Sequence, residues 1–252
     1  ILICVAIPCV RILRNRPEDM GLLPDGLSDE KSERKSEELA FSSKESLEQI
    51  GQEESSFTVR QALSAPVFWI LTVAHISSTV SIATLSLHLT PRLTDMGLSL
   101  TTASVLETIY SAVALPSLFL SGWLGDRMSK KYLIILFLIL QGISTLILAF
   151  ANALPIAILF AVLYGIAFGG RSPLMTAIRG EYFGRKSFAT IMGWSMLPNG
   201  VLMAIAPVWA GWMFDNYHSY TIPFVTYSLI TFMGAFVMIL ARKPKMSKLV
   251  SA

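Results

Sequence analysis

LIILFLILQGISTLILAF, residues 133–150, runs for eighteen positions without a charged side chain. At about 1.5 Å per residue a helix of this length covers ~27 Å, close to the thickness of a bilayer's hydrocarbon core. A strand of a membrane barrel would alternate apolar and polar residues at every second position, and this stretch does not. Five comparable runs surround it, so the sequence predicts six spans at about 66–90, 100–121, 132–151, 155–178, 187–213 and 221–241. The whole chain of 252 residues agrees: 53% is hydrophobic and 15% is charged, against roughly 25% charged in an ordinary soluble domain. That balance excludes a secreted disulfide scaffold, a nucleic-acid module and a cytosolic enzyme.

Outside these runs the composition changes. Residues 1–13, ILICVAIPCVRIL, are apolar but too short to cross, and Arg11, Arg14 and Arg16 follow the apolar stretch rather than precede it, unlike a secretory signal. They read as the end of a truncated helix. Cys4 and Cys9 lie five positions apart within it and match neither a zinc-ligand spacing nor a redox CxxC, which leaves membrane packing. Residues 14–64 are rich in Ser and Glu, with Pro17 and Pro24, and offer little apolar surface to offset chain entropy. They are expected to form a largely disordered cytoplasmic linker, with a cytoplasmic tail over 242–252.

Orientation follows from Lys and Arg. With the linker inside, 18 of the 20 basic residues are cytoplasmic, Arg92 lies in an outer loop and Arg171 falls within a span. Leaving the long linker out still gives ten inner charges, from Arg127 to Lys248, against one outer charge.

The short segment after the second span reads GWLGDRMSKK, residues 122–131. It resembles the inner-loop signature of the major facilitator superfamily, G-x-L-x-D-R-x-G-R/K-R/K, matched by Gly122, Leu124, Asp126, Arg127, Lys130 and Lys131. Ser129 stands where the family has Gly, and a turn needing positive φ there would strain it. Two further stretches are similar to family loops in the same order: EYFGRKSFATIMG, through Glu181, Phe183, Lys186, Ala189 and Gly193, and APVWAGWMFD, through Pro207, Gly211 and Asp215. RNRPEDMGLLPDG, residues 14–26, resembles the start of the central loop in members related to oxalate/formate and monocarboxylate carriers.

The resemblance implies an all-α membrane protein of twelve helices in two halves with a substrate cavity between them. This chain would supply the end of the sixth helix, the central loop and helices seven to twelve. A partner N-terminal half of six helices would then be needed for transport. The inner loop, with one carboxylate amid cations, would act as a conformational switch, or else serve only as a topogenic signal.

By the same resemblance the first and fourth spans line the cavity. In the first, His75, Ser78, Thr79 and Ser86 fall on one helical stripe, and His75 lies about 15 Å deep. His75 is either a proton-responsive cavity group or a neutral ring bonded between helices. The fourth span contains YGIAFGGRSP, where Gly165, Gly169 and Gly170 permit close approach and Pro173 removes a backbone donor. Arg171 and Tyr164 of that stretch are assigned to substrate with His75, Ser78 and Thr79. An intramembrane arginine costs about 2.5–3.5 kcal/mol to insert and is directed to a cavity, or it snorkels to the interface. The family's well-known fourth-helix arginine lies before the Gly run, so Arg171 does not inherit that role. Glu107, within the second span, is a proton-coupling candidate beside the bland reading of an interhelical bond. His88 and Asp95 are expected at the outer interface, solvated, and Trp194 and Asn199 within reach of the cavity.

The pattern reads as one half of a secondary transporter working by alternating access in the cell membrane, for a small organic anion such as a monocarboxylate and with protons as a candidate coupling ion. Alternatives are a membrane scaffold, a nonfunctional truncated product, or an exporter of amphipathic compounds. No HExxH, GxSxG, nucleotide loop or metal-ligand cluster is present, so no enzyme, cofactor, metal or nucleic-acid partner is expected. The topology is testable. Cysteines placed near Lys130 and Lys186 should react only with reagents on the cytoplasmic side, and cysteines near Asp95 and Asn216 only from outside; reversed labelling at any of the four overturns the span assignment.

Overall fold

The structure, a computed structural model, describes residues 57–184 and 187–244. The expected helix end at 1–13, with Cys4 and Cys9, the linker up to residue 56, Arg185 and Lys186, and the tail from residue 245 lie outside the described residues. Among the described residues there are seven helices and no strand: α1 Val59–Ser64, α2 Pro66–Asp95, α3 Leu100–Arg127, α4 Lys130–Ala149, α5 Leu154–Phe183, α6 Phe188–Tyr217 and α7 Thr221–Ile239. The last six are long and apolar enough to cross a membrane. Helices satisfy their own backbone hydrogen bonds, the condition lipid imposes on any open-chain spanning segment.

Four of the six run well past the apolar runs seen in the sequence. The 30 residues of α2 extend ~45 Å, half as long again as a hydrocarbon core of about 30 Å, so polar ends project beyond it. The linker expected to reach residue 64 also ends earlier. Phe57 is buried, donates its N–H to the carbonyl of Phe183 at 3.0 Å and sets its ring edge-on to that of Phe183. Thr58 and Gln61 then form a capping box that starts α1, a signal of T-x-x-Q spacing at the edge of a polar stretch.

The helices pack α3 against α5, α5 against α4, α4 against α7, and α2 against both α6 and α7. Two glycines set the first pairing. A Cβ built on Gly165 would lie 2.5 Å from the carbonyl oxygen of Tyr110, and one on Gly169 would collide with the backbone of Ala114. Ala161, Gly165 and Gly169 recur at four-residue spacing, so α5 presents a groove of small residues into which the α3 backbone fits. Ser117 crosses the same contact, donating to the carbonyl of Ile166 at 2.7 Å.

Hydrogen bonds join the opposite side. Ser78 of α2 donates to Oε1 of Gln141 on α4, whose Nε2 returns a bond to the Ser78 carbonyl at 3.2 Å. Ser81 meets Thr145, Thr231 of α7 donates to the carbonyl of Ser77, and Ser228 to that of Gly142. The single polar stripe expected on α2 therefore divides: Ser78 faces a helix contact, Thr79 bonds its own helix at the His75 carbonyl, and Ser86 is exposed while bonding that of Ile82. Relative to His75 an offset of three lies about 60° to one side and an offset of four about 40° to the other, so Ser78 and Thr79 point about 100° apart, enough to send neighbours to different contacts.

Replacing Gly169 by Val should cost about 1–3 kcal/mol, the usual penalty for overfilling a packed contact. Gly200→Ala on α6, where nothing lies within 4 Å, should be tolerated. Thermal unfolding in detergent compares the two, and equal midpoints for both variants would remove the α3 and α5 groove as the source of packing.

Candidate functional site

The long α5 carries the site residues on its inner side. Tyr164 and Arg171 lie seven positions apart, about two turns, and both are buried, at 3% and 4% exposure. A third side chain joins them from the same helix: Arg179, counted in the sequence among inner topogenic charges, is 1% exposed. It donates from Nη1 to the carbonyl of Met175 at 2.9 Å and from Nη2 to that of Leu71 on α2 at 3.3 Å, and Nη1 also lies 3.5 Å from Nδ1 of His75. Arg179 of α5 and His75 of α2 are thus brought together in one buried region.

Arg171 is differently placed from Arg179. Among the described residues its Nε and Nη1, enclosed by protein, have no hydrogen-bond partner, and neither has the hydroxyl of Tyr164 two turns away on the same helix. Buried donors without partners are expensive, a guanidinium more than a neutral group. Arg171 is enclosed by protein rather than stretched along the helix to the interface, and α5 continues twelve residues beyond it to Phe183, about 18 Å.

Toward the other end of α5 a cleft of about 130 Å³ is lined by Ser86 and Leu89 of α2, Glu107 and Tyr110 of α3, and Tyr164 and Phe168 of α5. Glu107 accepts a hydrogen bond from the hydroxyl of Thr90 at 2.6 Å. Glu107 makes no ion pair with Arg171 or Arg179. Tyr164 thus stands between a carboxylate-bearing cleft and the arginine cluster. Asn199 of α6 is buried with an unpartnered Oδ1, whereas Trp194 on the same helix is half exposed.

His88 departs from the solvated position expected of it. It is partly buried, with Nε2 at 3.0 Å from the carbonyl of Pro207 and Nδ1 at 3.3 Å from the hydroxyl of Tyr220. The ring comes within 3.6 Å of where a Cβ on Gly211 would stand, so it lies against the turn of α6 bounded by Pro207 and Gly211. Asp95 is exposed.

At the other membrane face the expected loop over 122–131 is shorter than its sequence suggested. The helix α3 continues through Gly122 to Arg127, and only Met128 and Ser129 separate it from α4. Ser129 has φ −61°, so this turn asks for no positive φ and the serine sits there without strain. The model of the Major Facilitator Superfamily matches residues 67–252, which include this turn and all six spanning helices but for the first residue, Pro66. The chain belongs to the Major Facilitator Superfamily.

Several superfamily transporters are similar to it. Monocarboxylate transporter 12 of Rattus norvegicus is 26% identical over 63% of this chain and 33% of its own length. A probable sulfoacetate transporter of Cupriavidus necator is 30% identical over 47% of the chain and 29% of that protein. The bacillibactin exporter of Bacillus subtilis is 32% identical over 32% of the chain and 21% of that protein. The chain thus spans about a third of the length of the monocarboxylate transporter it matches.

The superfamily signature distributes its charges in three directions. Lys130 pairs with Glu181 at the end of α5 at 3.2 Å. Lys131 donates to the carbonyls of Ile239 and Ala241 at 2.6 and 2.7 Å, capping the end of α7 where the helix dipole is negative. Arg127 lies over the ring of Trp123, 3.9 Å from its centroid. Gly122 has no neighbour within 4 Å of a Cβ position, and Asp126 is exposed and without an ion pair among the described residues. The capping role of Lys131 was hidden in the sequence because its acceptors lie more than a hundred positions downstream.

The Lys130 and Glu181 side chains are 25% and 44% exposed, which limits their coupling to about 0.2–1 kcal/mol. A double-mutant cycle on Lys130→Gln and Glu181→Gln, read by thermal unfolding, should fall in that range and shrink with added salt. A coupling above about 2 kcal/mol would mean the pair is enclosed, contrary to the exposure seen.

Proposed function

We propose that this chain forms one half of a secondary active transporter that carries a small organic anion by alternating access, with Arg171 as the principal anion-binding group. The observation that carries the reading is the enclosed Arg171 guanidinium, whose Nε and Nη1, like the hydroxyl of Tyr164 two turns away on α5, lack partners among the described residues. A carboxylate entering there would accept from both groups, and its charge would offset the desolvated cation. The names of two relatives, a monocarboxylate transporter and a probable sulfoacetate transporter, fit an anionic cargo.

A second six-helix half completes the transport path in this reading. The apolar cores of α3 and α6 are only 22% and 28% buried, against 61% for α2, and Leu115, Phe119, Val201 and Val208 stand exposed along them. One side of these helices would meet lipid and the other the second half, with α2 and α5 facing the cavity between. The linker and the C-terminus are cytoplasmic by the distribution of Lys and Arg. Glu107, in its cleft, and His75, beside Arg179, are the groups available to take up a coupling proton.

Within the inner turn, Asp126 is the switch residue. It is free on the side where α3 ends, while Lys130 and Lys131 hold α5 and α7; in the opposite access state its carboxylate would pair with a helix N-terminus of the second half. Arg171 supplies the decisive experiment. In the full-length transporter in proteoliposomes, Arg171→Lys should lower organic-anion uptake tenfold or more, because an ammonium cannot reproduce the planar two-point contact. Saturating substrate should shield an Arg171→Cys variant from cavity-directed thiol reagents. Full uptake by Arg171→Lys, with an unprotected thiol in Arg171→Cys, overturns the assignment.

A further inference from the structure

Pro198 and Pro207 both lie in the interior of α6. Neither ring nitrogen carries a hydrogen, so the carbonyls of Trp194 and Met203, one turn earlier, lose their helical donors and the helix can bend at both places. Asn199 follows the first proline, buried, with an Oδ1 that has no partner among the described residues. From Gly200 to Ile205 every residue is exposed. Consecutive positions turn by about 100° each, so this stretch goes all the way round the helix and no side of it is closed off by the bundle. Beside it lies a groove of about 200 Å³, walled by Leu202, Ile205 and Trp209 of α6, Val80 of α2, and Tyr227 and Ile230 of α7. Open space against apolar walls forfeits dispersion contacts that a closed arrangement would make.

The C-terminal part of α6 is held instead. Nε2 of His88 lies 3.0 Å from the carbonyl of Pro207, and since a carbonyl only accepts, that nitrogen carries the proton. The hydroxyl of Tyr227 donates to the neighbouring carbonyl of Ala206. Tyr220 stacks on Phe214 with ring centroids 4.3 Å apart, and its hydroxyl lies 3.3 Å from Nδ1 of His88. Side chains of α2 and α7 thus grip α6 at Ala206, Pro207 and Phe214 and let go of it just before Pro207. We infer that α6 flexes at Pro207: the stretch from Asn199 to Ile205 swings so that Leu202 and Ile205 close the groove in one state and leave it open in the other, with His88 as the positioning residue that holds the pivot. The inference takes from the alternating-access reading only that two states exist, and it assigns the moving stretch and the fixed point. The carbonyls freed by the two prolines let the backbone turn there without breaking a further helical bond. A hinge of a few residues between a gripped and an ungripped arm is a common way for a helix to change state.

The test measures spin-label distances in the full-length transporter in lipid nanodiscs. Labels at Val201 and Phe236 read the swinging stretch against α7, labels at Trp212 and Phe236 read the held part, and all three side chains are exposed. With no further substitution, the Val201 to Phe236 distribution should be about twice as broad as the Trp212 to Phe236 distribution, or split in two. Pro207→Ala, which restores a donor to the Met203 carbonyl, and Ile230→Trp, which fills the groove, should each narrow the first distribution to the width of the second. His88→Leu should broaden the Trp212 pair, whereas His88→Gln, which keeps a donor for the Pro207 carbonyl, should leave it unchanged. Equal widths for the two pairs without these substitutions overturn the hinge, and so does breadth that persists in both Pro207→Ala and Ile230→Trp. An unchanged Trp212 pair in His88→Leu overturns the pivot. The comparison of the two pairs decides the hinge even where a variant fails to insert. Neither distance depends on cargo, so a negative result leaves the Arg171 assignment standing, and full uptake by Arg171→Lys leaves the hinge standing.

Discussion

The close approach of α3 and α5 sets how the other helices are arranged around them. In lipid no hydrophobic force draws helices together, so their association rests on shape, and Gly165 and Gly169 let the carbonyls of Tyr110 and Ala114 come nearly into contact with the α5 backbone. That contact sets the rotation of α5 about its own axis. With the glycine side committed to α3, Arg179 and its neighbours turn toward α2, where the carbonyl of Leu71 and the ring of His75 receive the guanidinium. A helix that did not pack so tightly on one side would have no reason to hold two arginines out of water on another.

The other side of the bundle is organised by polar bonds. Ser77, Ser78 and Ser81 reach Thr231, Gln141 and Thr145, binding α2 to α4 and α7 at several heights. Each such bond is worth only about 0.6–2 kcal/mol in a membrane, but a set of them defines one register between helices where apolar contacts alone would permit sliding. The result is a firm backing behind α2 and more loosely covered helices, α3 and α6, on the open sides.

The spans are legible because eighteen-residue apolar runs have few other uses, and the inner turn because its residues match a known pattern position by position. What the sequence conceals is partnership across distance. Arg179 looks like one more basic residue at an inner helix end, since nothing local to it reveals that the carbonyl of Leu71 and His75 lie opposite. Ser78 looks like a cavity residue because helical periodicity says which residues share a stripe and not which neighbour that stripe meets. His88 reads as a solvated side chain for the same reason, its acceptor on Pro207 being 119 positions away. Ser129 misleads in the opposite direction: a family glycine implies a left-handed turn, while this turn stays extended.

The capping of α7 by Lys131 bears on the order of assembly in the membrane. The carbonyls it binds belong to Ile239 and Ala241, at the very end of the last span, and Ser77 and Gly142 likewise wait for Thr231 and Ser228. As the chain is inserted from its N-terminal side, α2 and α4 keep their own backbone hydrogen bonds, but the side-chain bonds that tie them to α7 form only when that last helix arrives. The half therefore closes last along α7, and a nascent chain stalled before residue 221 would present the insertion machinery with a bundle whose seam is still open.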